Sequence, residues 1–253
     1  KWEALLKRAD QLGCKYIATG HYAQVREENG RYVVSKGIDE WKDQSYVLWG
    51  LSQECLSRTI FPMGQYHKDD IKQMAIDRGY EELAKKPESY EICFIPDNDY
   101  RGFLKRKVEG LEEQVKGGNF INTKGEVIGT HDGYPFYTIG QRKLGVSFGL
   151  EASYVVEIKP ETNEVVVGTK EDLNKQEMIV KGLNYIKYDR IPNDFESLTK
   201  VRYKHKGEQS TLTNLDNEIK VLFHKKVEGI APGQSAVFYE GNDVLGGGFI
   251  AKK

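Results

Sequence analysis

The hydrophobic period of this chain changes along its length, and that change limits the folds open to it. At the start, Trp2, Leu5, Leu6, Ala9 and Leu12 recur at the spacing of one helix face, and Gly13 stands where such a helix stops. The next residues, Cys14-Lys15-Tyr16-Ile17-Ala18-Thr19, read as a strand that ends in Gly20-His21-Tyr22. Helix, strand and glycine turn in succession belong to an open α/β sheet, whose ligands bind at the carboxyl ends of the strands. From Ser153 onward the runs are short and strand-like: 154–158, 164–167, 219–223 and 235–239. A turn over 160–163 joins the first two as a hairpin, Gly241-Asn242-Asp243 makes another turn, and a last strand carries Gly246-Gly247-Gly248. Short strands with regular turns predict a small barrel or sandwich. The fold class expected is therefore α/β plus all-β. Its parts are an α/β domain over 1–97, a small central domain over 98–152 and an all-β domain over 153–253.

The length supports several domains, and 39% hydrophobic residues are enough for their cores. A net charge of −1 gives no global attraction to nucleic acid, so any such role must rest on locally clustered bases. No apolar run reaches the roughly 18 residues of a membrane span, and no signal peptide is visible. Cys14, Cys55 and Cys93 are too widely spaced for a disulfide framework or a CxxC metal pair, which points to a reducing, cytosol-like compartment. Lys1 lies inside the helical pattern, so the chain is expected to be the downstream part of something longer.

Residues 88–96, Glu-Ser-Tyr-Glu-Ile-Cys-Phe-Ile-Pro, hold the best candidate for chemistry. Cys93 sits in an apolar run that Pro96 closes, as at the end of a short strand. Lys85, Lys86 and Glu88 precede it, and Asp97, Asn98, Asp99 and Arg101 follow. Two readings stay open: a buried inert thiol, or a thiolate made reactive by neighbouring cations. Cys14 is expected to be packed, and Cys55 to be helical and structural. Gly20 either lets a ligand approach the backbone or is an ordinary turn glycine beside a surface His21. Lys42, Asp43 and Gln44 group a cation, an anion and an amide, though Asp43 also suits a helix cap. Asp99 can cap a basic helix over 100–108. The segment 129–143, rich in glycine and bases, reads either as a phosphate-meeting surface or as a linker. Residues 200–206 alternate so that four cations would share one face of a strand. That face is either solvated or set against an RNA backbone.

Taken together, the segments resemble the tRNA-specific 2-thiouridylase family. The matching words are Tyr16-Ile17-Ala18-Thr19-Gly20-His21-Tyr22, Lys42-Asp43-Gln44-Ser45-Tyr46, Phe61-Pro62-Met63-Gly64, Ile92-Cys93-Phe94-Ile95, Thr138-Ile139-Gly140-Gln141-Arg142-Lys143 and Pro232-Gly233-Gln234-Ser235-Ala236-Val237-Phe238-Tyr239. They follow the family's order over nearly the whole chain. The resemblance implies an ATP-pyrophosphatase-type (adenine nucleotide alpha hydrolase-like) α/β domain, a small central domain and a C-terminal β-barrel. It also implies a cytoplasmic enzyme that uses ATP with Mg2+ to adenylate the C2 oxygen of the wobble uridine in tRNA and then exchanges that oxygen for sulfur. By the same similarity Cys93 carries the sulfur as a persulfide and Gly20 touches ATP. His21, Lys42, Asp43, Gln44, Arg202, Tyr203 and Gln234 match positions that meet the tRNA near its anticodon. The sulfur donor implied is a cysteine desulfurase, acting directly or through relay proteins, and no resident metal is implied. A non-catalytic tRNA-binding module is the alternative.

One departure from the family pattern stands out. The family's Ser-Gly-Gly-x-Asp-Ser phosphate loop and its second, resolving cysteine belong to a stretch before the helix at 2–12, and neither Cys14 nor Cys55 matches that cysteine. The expectation is that this polypeptide does not complete thiolation alone.

Overall fold

The computed structural model describes residues 2–86, 95, 97, 99–144 and 153–252. The chain opens with α1 (Trp2–Gln11), β1 (Ile17–Ala18), β2 (Ala23–Glu28), β3 (Arg31–Lys36), α2 (Gln53–Ser57), β4 (Thr59–Ile60), α3 (Lys68–Asp77) and α4 (Glu81–Lys85). Next come α5 (Tyr100–Lys107), α6 (Leu111–Val115), β5 (Gly118–Asn122), β6 (Val127–His131), β7 (Tyr154–Lys159) and β8 (Glu164–Gly168). The last six strands are β9 (Asn174–Tyr185), β10 (Phe195–Lys200), β11 (Glu208–Leu215), β12 (Glu218–Glu228), β13 (Ser235–Glu240) and β14 (Asp243–Ile250). Contacts divide the chain into two compact units: Lys1–Lys86 with Gln176–Lys225 and Ala231–Lys253, and Pro87–Lys175 with Lys226–Ile230.

In the first unit, α1 ends as its sequence predicts. Gly13 takes φ +67°, and the amides of Gly13 and Cys14 donate back to the carbonyls of Asp10 and Ala9, the double bond of a Schellman stop. Cys14 falls on this stop and is exposed, contrary to the expectation that it packs. The strand that follows is correspondingly short: β1 pairs in parallel with β4 through Ile17–Thr59 and Ala18–Ile60.

Six strands close into a ring in the order β13-β10-β11-β12-β9-β14, with β14 returning to pair with β13. The β2–β3 hairpin continues this sheet on β14, where Ser35 lies opposite Asp243 and the Lys36 amide donates to Asn242. The first residues of the chain and its last strand therefore share one sheet. Their common core holds Ala23, Val34, Tyr46, Leu48, Trp49, Leu56 and Phe61 from the first part of the chain. Ile186, Val237, Tyr239 and Val244 complete it from the barrel. Gly247 makes room for this contact, since a Cβ there would lie 2.6 Å from the Ala236 carbonyl oxygen and 2.9 Å from the Trp49 ring.

A cluster of charges holds the hairpin to β14. Arg26 donates two bonds of 2.9 Å to the Asp243 carboxylate, one to each oxygen; Ser35 Oγ adds 2.7 Å and Lys187 Nζ 2.7 Å. Lys187 also bonds Glu240. Burial works against the Asp243 carboxylate, but the bonds from Arg26, Lys187 and Ser35 outweigh it and hold its pKa well below the usual range.

The second unit is a four-stranded sheet in the order β6-β5-β8-β7, with β5 and β8 parallel. The β7–β8 hairpin turns at Asn163, which takes the left-handed conformation. Read from the sequence as the opening of the barrel, this hairpin sits instead beside β5, and the closed ring starts at β9. Asn163 also donates 2.6 Å to the Val115 carbonyl and accepts from the Asn119 amide through its own, so the turn is tied to α6 and β5. Asp99 caps α5 as expected, accepting 2.8 Å from the Gly102 amide. The Arg101 guanidinium lies 5.6 Å from the ring centres of both Phe136 and Tyr137.

Candidate functional site

Gly20 and His21 follow β1 after Thr19, at its carboxyl end. Gly20 is exposed, and a Cβ built on it would meet nothing within 4 Å, so a ligand has room to approach this backbone. His21 is oriented by Thr19, whose Oγ1 is 3.0 Å from Nδ1, and by ring contacts with Trp2 at 5.3 Å and Phe61 at 6.1 Å. Trp2 is fixed in turn by its Nε1–H bond to Thr59 Oγ1, 3.0 Å, on β4.

Residues 42–44 belong to the turn between β3 and a single 3-10 turn at Ser45–Leu48. Gln44 is joined to Tyr22 through both of that residue's backbone groups: its Oε1 accepts from the Tyr22 amide at 3.1 Å, and its own amide donates to the Tyr22 carbonyl at 2.8 Å. The His21-Tyr22 segment and the Lys42-Asp43-Gln44 segment are thereby set side by side. Asp43 is buried at 9% exposure, and its carboxylate takes the amides of Gly37 (3.2 Å) and Ser45 (3.0 Å) and the Ser45 hydroxyl (2.9 Å). Asp43 does not cap the turn that follows, where Gln44 holds the capping position; its carboxylate closes a local turn onto Ser45 and Gly37 instead, and its charge faces inward.

Arg202 and Tyr203 come from the barrel. The alternating row was expected to be a strand, but β10 stops at Lys200, and residues 201–207 turn the chain into β11, with Thr199 already opposite Glu208. An alternating pattern cannot register that the chain must reverse here, which is why the strand reading fails. The turn brings Tyr203 to the other segment: its hydroxyl donates 3.0 Å to the Asp43 carbonyl, and its ring stands 6.1 Å from that of Tyr46. Tyr46 donates 2.8 Å to the Ser235 carbonyl, next to Gln234, which is exposed in the turn before β13. Burial pushes the Tyr46 hydroxyl up to about 12 and that of Tyr239 higher still, so both remain protonated donors.

The predicted segments 42–44 and 202–203 thus meet through Asp43 and Tyr203, and Gln234 stands next in sequence to the Ser235 that Tyr46 bonds. Sequence reasoning missed the groups that join them. Ser45 Oγ lies 3.1 Å from the Tyr239 hydroxyl, and the Tyr239 ring carries Lys36 Nζ at 5.0 Å and Lys200 Nζ at 5.4 Å. Burial lowers the Lys200 pKa, against the pull of Asp43. The signal was available, since Ser45, Tyr46 and Tyr239 all lie inside the quoted words. Cys93 lies outside the described residues; Ile95, two positions on in sequence, is buried. Among the described residues, no group of three or more His, Cys, Asp or Glu side chains is placed to hold a metal. No helix among them is long and apolar enough to cross a membrane.

Comparison with known proteins matches three family models in succession. The tRNA methyl transferase HUP domain matches residues 1–97, the tRNA methyl transferase PRC-barrel domain 102–169 and the aminomethyltransferase β-barrel domain 175–250. A tRNA-specific 2-thiouridylase of Cytophaga hutchinsonii is 58% identical over 252 residues, which cover 99% of this chain and 68% of that protein. A protein of the same name from Amoebophilus asiaticus is also 58% identical, over 99% of this chain and 67% of its own length. Another, from Carboxydothermus hydrogenoformans, is 46% identical over 258 residues, 100% of this chain and 69% of its own. With three domains matched in order and such identity sustained from end to end, the chain belongs to the tRNA-specific 2-thiouridylase family.

Proposed function

We propose that this protein takes part in the ATP-dependent replacement of the C2 oxygen of the tRNA wobble uridine by sulfur, with Cys93 as the sulfur carrier. The observation that carries the reading is the meeting of residues 42–44 with 202–203 through the Tyr203–Asp43 bond. It gathers the candidate RNA-binding residues of two distant segments onto one surface, and the named activity of the relatives supplies the chemistry.

A uridine carbonyl is a poor electrophile. ATP, with Mg2+, converts its oxygen into a leaving group by adenylation, and the open backbone at Gly20 suits the approach of that nucleotide. A persulfide on Cys93 is more acidic and more nucleophilic than a thiol and attacks C2; the carbon–sulfur bond forms, the carbon–oxygen bond breaks and AMP leaves. The thiolate of the resolving cysteine that the family carries before the helix at 2–12 then attacks Cys93 Sγ, so that a protein disulfide forms, the sulfur–sulfur bond to the base breaks and the sulfur stays on C2. Lys42 and Arg202 hold the RNA backbone, and His21, Asp43, Gln44, Tyr203 and Gln234 complete the contact surface around an anticodon loop whose bases can be splayed out. Sulfur reaches Cys93 from a cysteine desulfurase, directly or through relay proteins, in the cytoplasm.

The test is tRNA thiolation by the full-length gene product, with ATP and a sulfur donor, for wild type and Cys93→Ser. The variant is expected to lose thiolation while binding tRNA as wild type does. Retained thiolation would remove the carrier role from Cys93. Tight tRNA binding with no thiolation by either protein would favour the non-catalytic binding module.

A further inference from the structure

Trp41 is 93% exposed, more than any other large apolar side chain among the described residues. The other two tryptophans are placed quite differently: Trp49 is buried at 9% exposure in the core, and Trp2 packs against it with its Nε1 bonded to Thr59. An indole left in water forgoes one of the largest burial gains any side chain offers. The backbone beneath Trp41 is nevertheless tightly held. The carboxylate of Asp39, itself 8% exposed, accepts from the amides of Trp41 (3.1 Å) and Lys42 (3.2 Å) with one oxygen and from the amide of Lys68 (2.9 Å) with the other. Two residues further on, Asp43 fixes the turn from the other side. Trp41 is therefore presented to solvent from a pinned turn.

Its surroundings say what it is presented to. The cation of Lys42 follows it in the turn; Lys68 shares its anchoring carboxylate through its backbone amide, with its ammonium 5.6 Å from the Tyr22 ring. Asp39 and Asp43 spend their charge on inward amides, which leaves Glu40 as the exposed carboxylate of the turn. An exposed aromatic plane beside cations is the combination that binds single-stranded RNA, where cations meet phosphates and the ring stacks on a base. We propose that Trp41 stacks on an unpaired nucleobase of the bound tRNA, as a positioning residue next to the Lys42-Asp43-Gln44 contact. This inference rests on the tRNA reading above.

The test measures binding of tRNA, of an anticodon stem–loop and of a fully paired RNA duplex across a salt series. It uses wild type, Trp41→Ala, Trp41→Phe and Lys42→Ala. Trp41→Ala is expected to bind tRNA and the stem–loop about tenfold more weakly, about 1.4 kcal/mol, within the range of one base–aromatic stack. Trp41→Phe should restore most of the affinity. The dependence of log K on log salt should keep its slope in Trp41→Ala and lose about one in Lys42→Ala, because stacking releases no counterions and a phosphate contact does. In wild type, bound stem–loop should shield the exposed tryptophan from acrylamide, a readout that needs no variant. Equal affinity of wild type and Trp41→Ala for the stem–loop would overturn the inference and leave the tRNA reading standing. An equal loss on the paired duplex would overturn base stacking. Failure of wild type to bind any tRNA would remove both.

Discussion

Asp43 shows how a residue can belong to a contact surface without presenting its own charge to it. Its carboxylate is spent on Gly37 and Ser45, and what it offers outward is a carbonyl that Tyr203 takes. Asp43→Ala should leave two buried amides without partners, and the Ser45 hydroxyl with Tyr239 alone, and cost about 2–3 kcal/mol, read as a lower urea midpoint. Asp43→Asn keeps the oxygen that takes both amides and should cost less. The Lys42-Asp43-Gln44 word was legible in the sequence, but the cap it suggested for Asp43 falls one residue off, since Gln44 holds that position and Asp43 bonds Ser45 across it. Its link to Tyr203 was not, since |i−j| there is 160. Cys14 was misjudged because an apolar strand seemed to begin on it, whereas the helix stop consumes that position.

At the scale of elements, the β2–β3 hairpin depends on Asp243 for its seat on the barrel. Removing one partner from such a cluster leaves Arg26 and Lys187 without their shared carboxylate. Asp243→Asn is expected to cost about 2 kcal/mol, less than a fully buried pair would, because the Arg26 side chain remains 44% exposed. The pH dependence has a definite sign. The pKa of Asp243 in the folded protein lies below its ordinary 3.8, so its contribution is complete above that value and is lost as the pH falls through the folded-state pKa. Urea midpoints of wild type and variant, measured from neutral to acid pH, should converge below about pH 4; a gap that stayed constant would exclude the cluster as its source. The elements themselves were largely readable: the helix stop at Gly13, the Asp99 cap and the hairpin at Asn163 are all written in local signals. The 201–207 turn was not, because alternation is equally compatible with a strand and with a connection that happens to alternate.

At the scale of the whole molecule, the family boundary at residue 97 does not mark the edge of a core. Tyr46, Leu48 and Trp49 are covered by Ile186, Val237, Tyr239 and Val244, residues from the far end of the chain. A fragment of residues 1–97 is expected to lack cooperative thermal unfolding and to bind a hydrophobic dye, whereas the full chain should do neither; calorimetry and dye fluorescence check this. The barrel was visible in the sequence as short strands and turns, and the turn at 241–243 set β13 beside β14, but periodicity cannot say which distant strands meet, so neither the pairings of β10 with β13 and β9 with β14 nor the seat of the β2–β3 hairpin on β14 could be read. The same arrangement sets a schedule for biosynthesis. Ser35 waits for Asp243, 208 residues later, and at about 5–20 residues per second the ribosome needs roughly 10–40 s to deliver it. Throughout that interval Arg26 and Ser35 lack the carboxylate that seats them, and the core that Tyr46, Leu48, Leu56 and Phe61 begin around the hairpin waits for Ile186, Val237, Tyr239 and Val244 to close it.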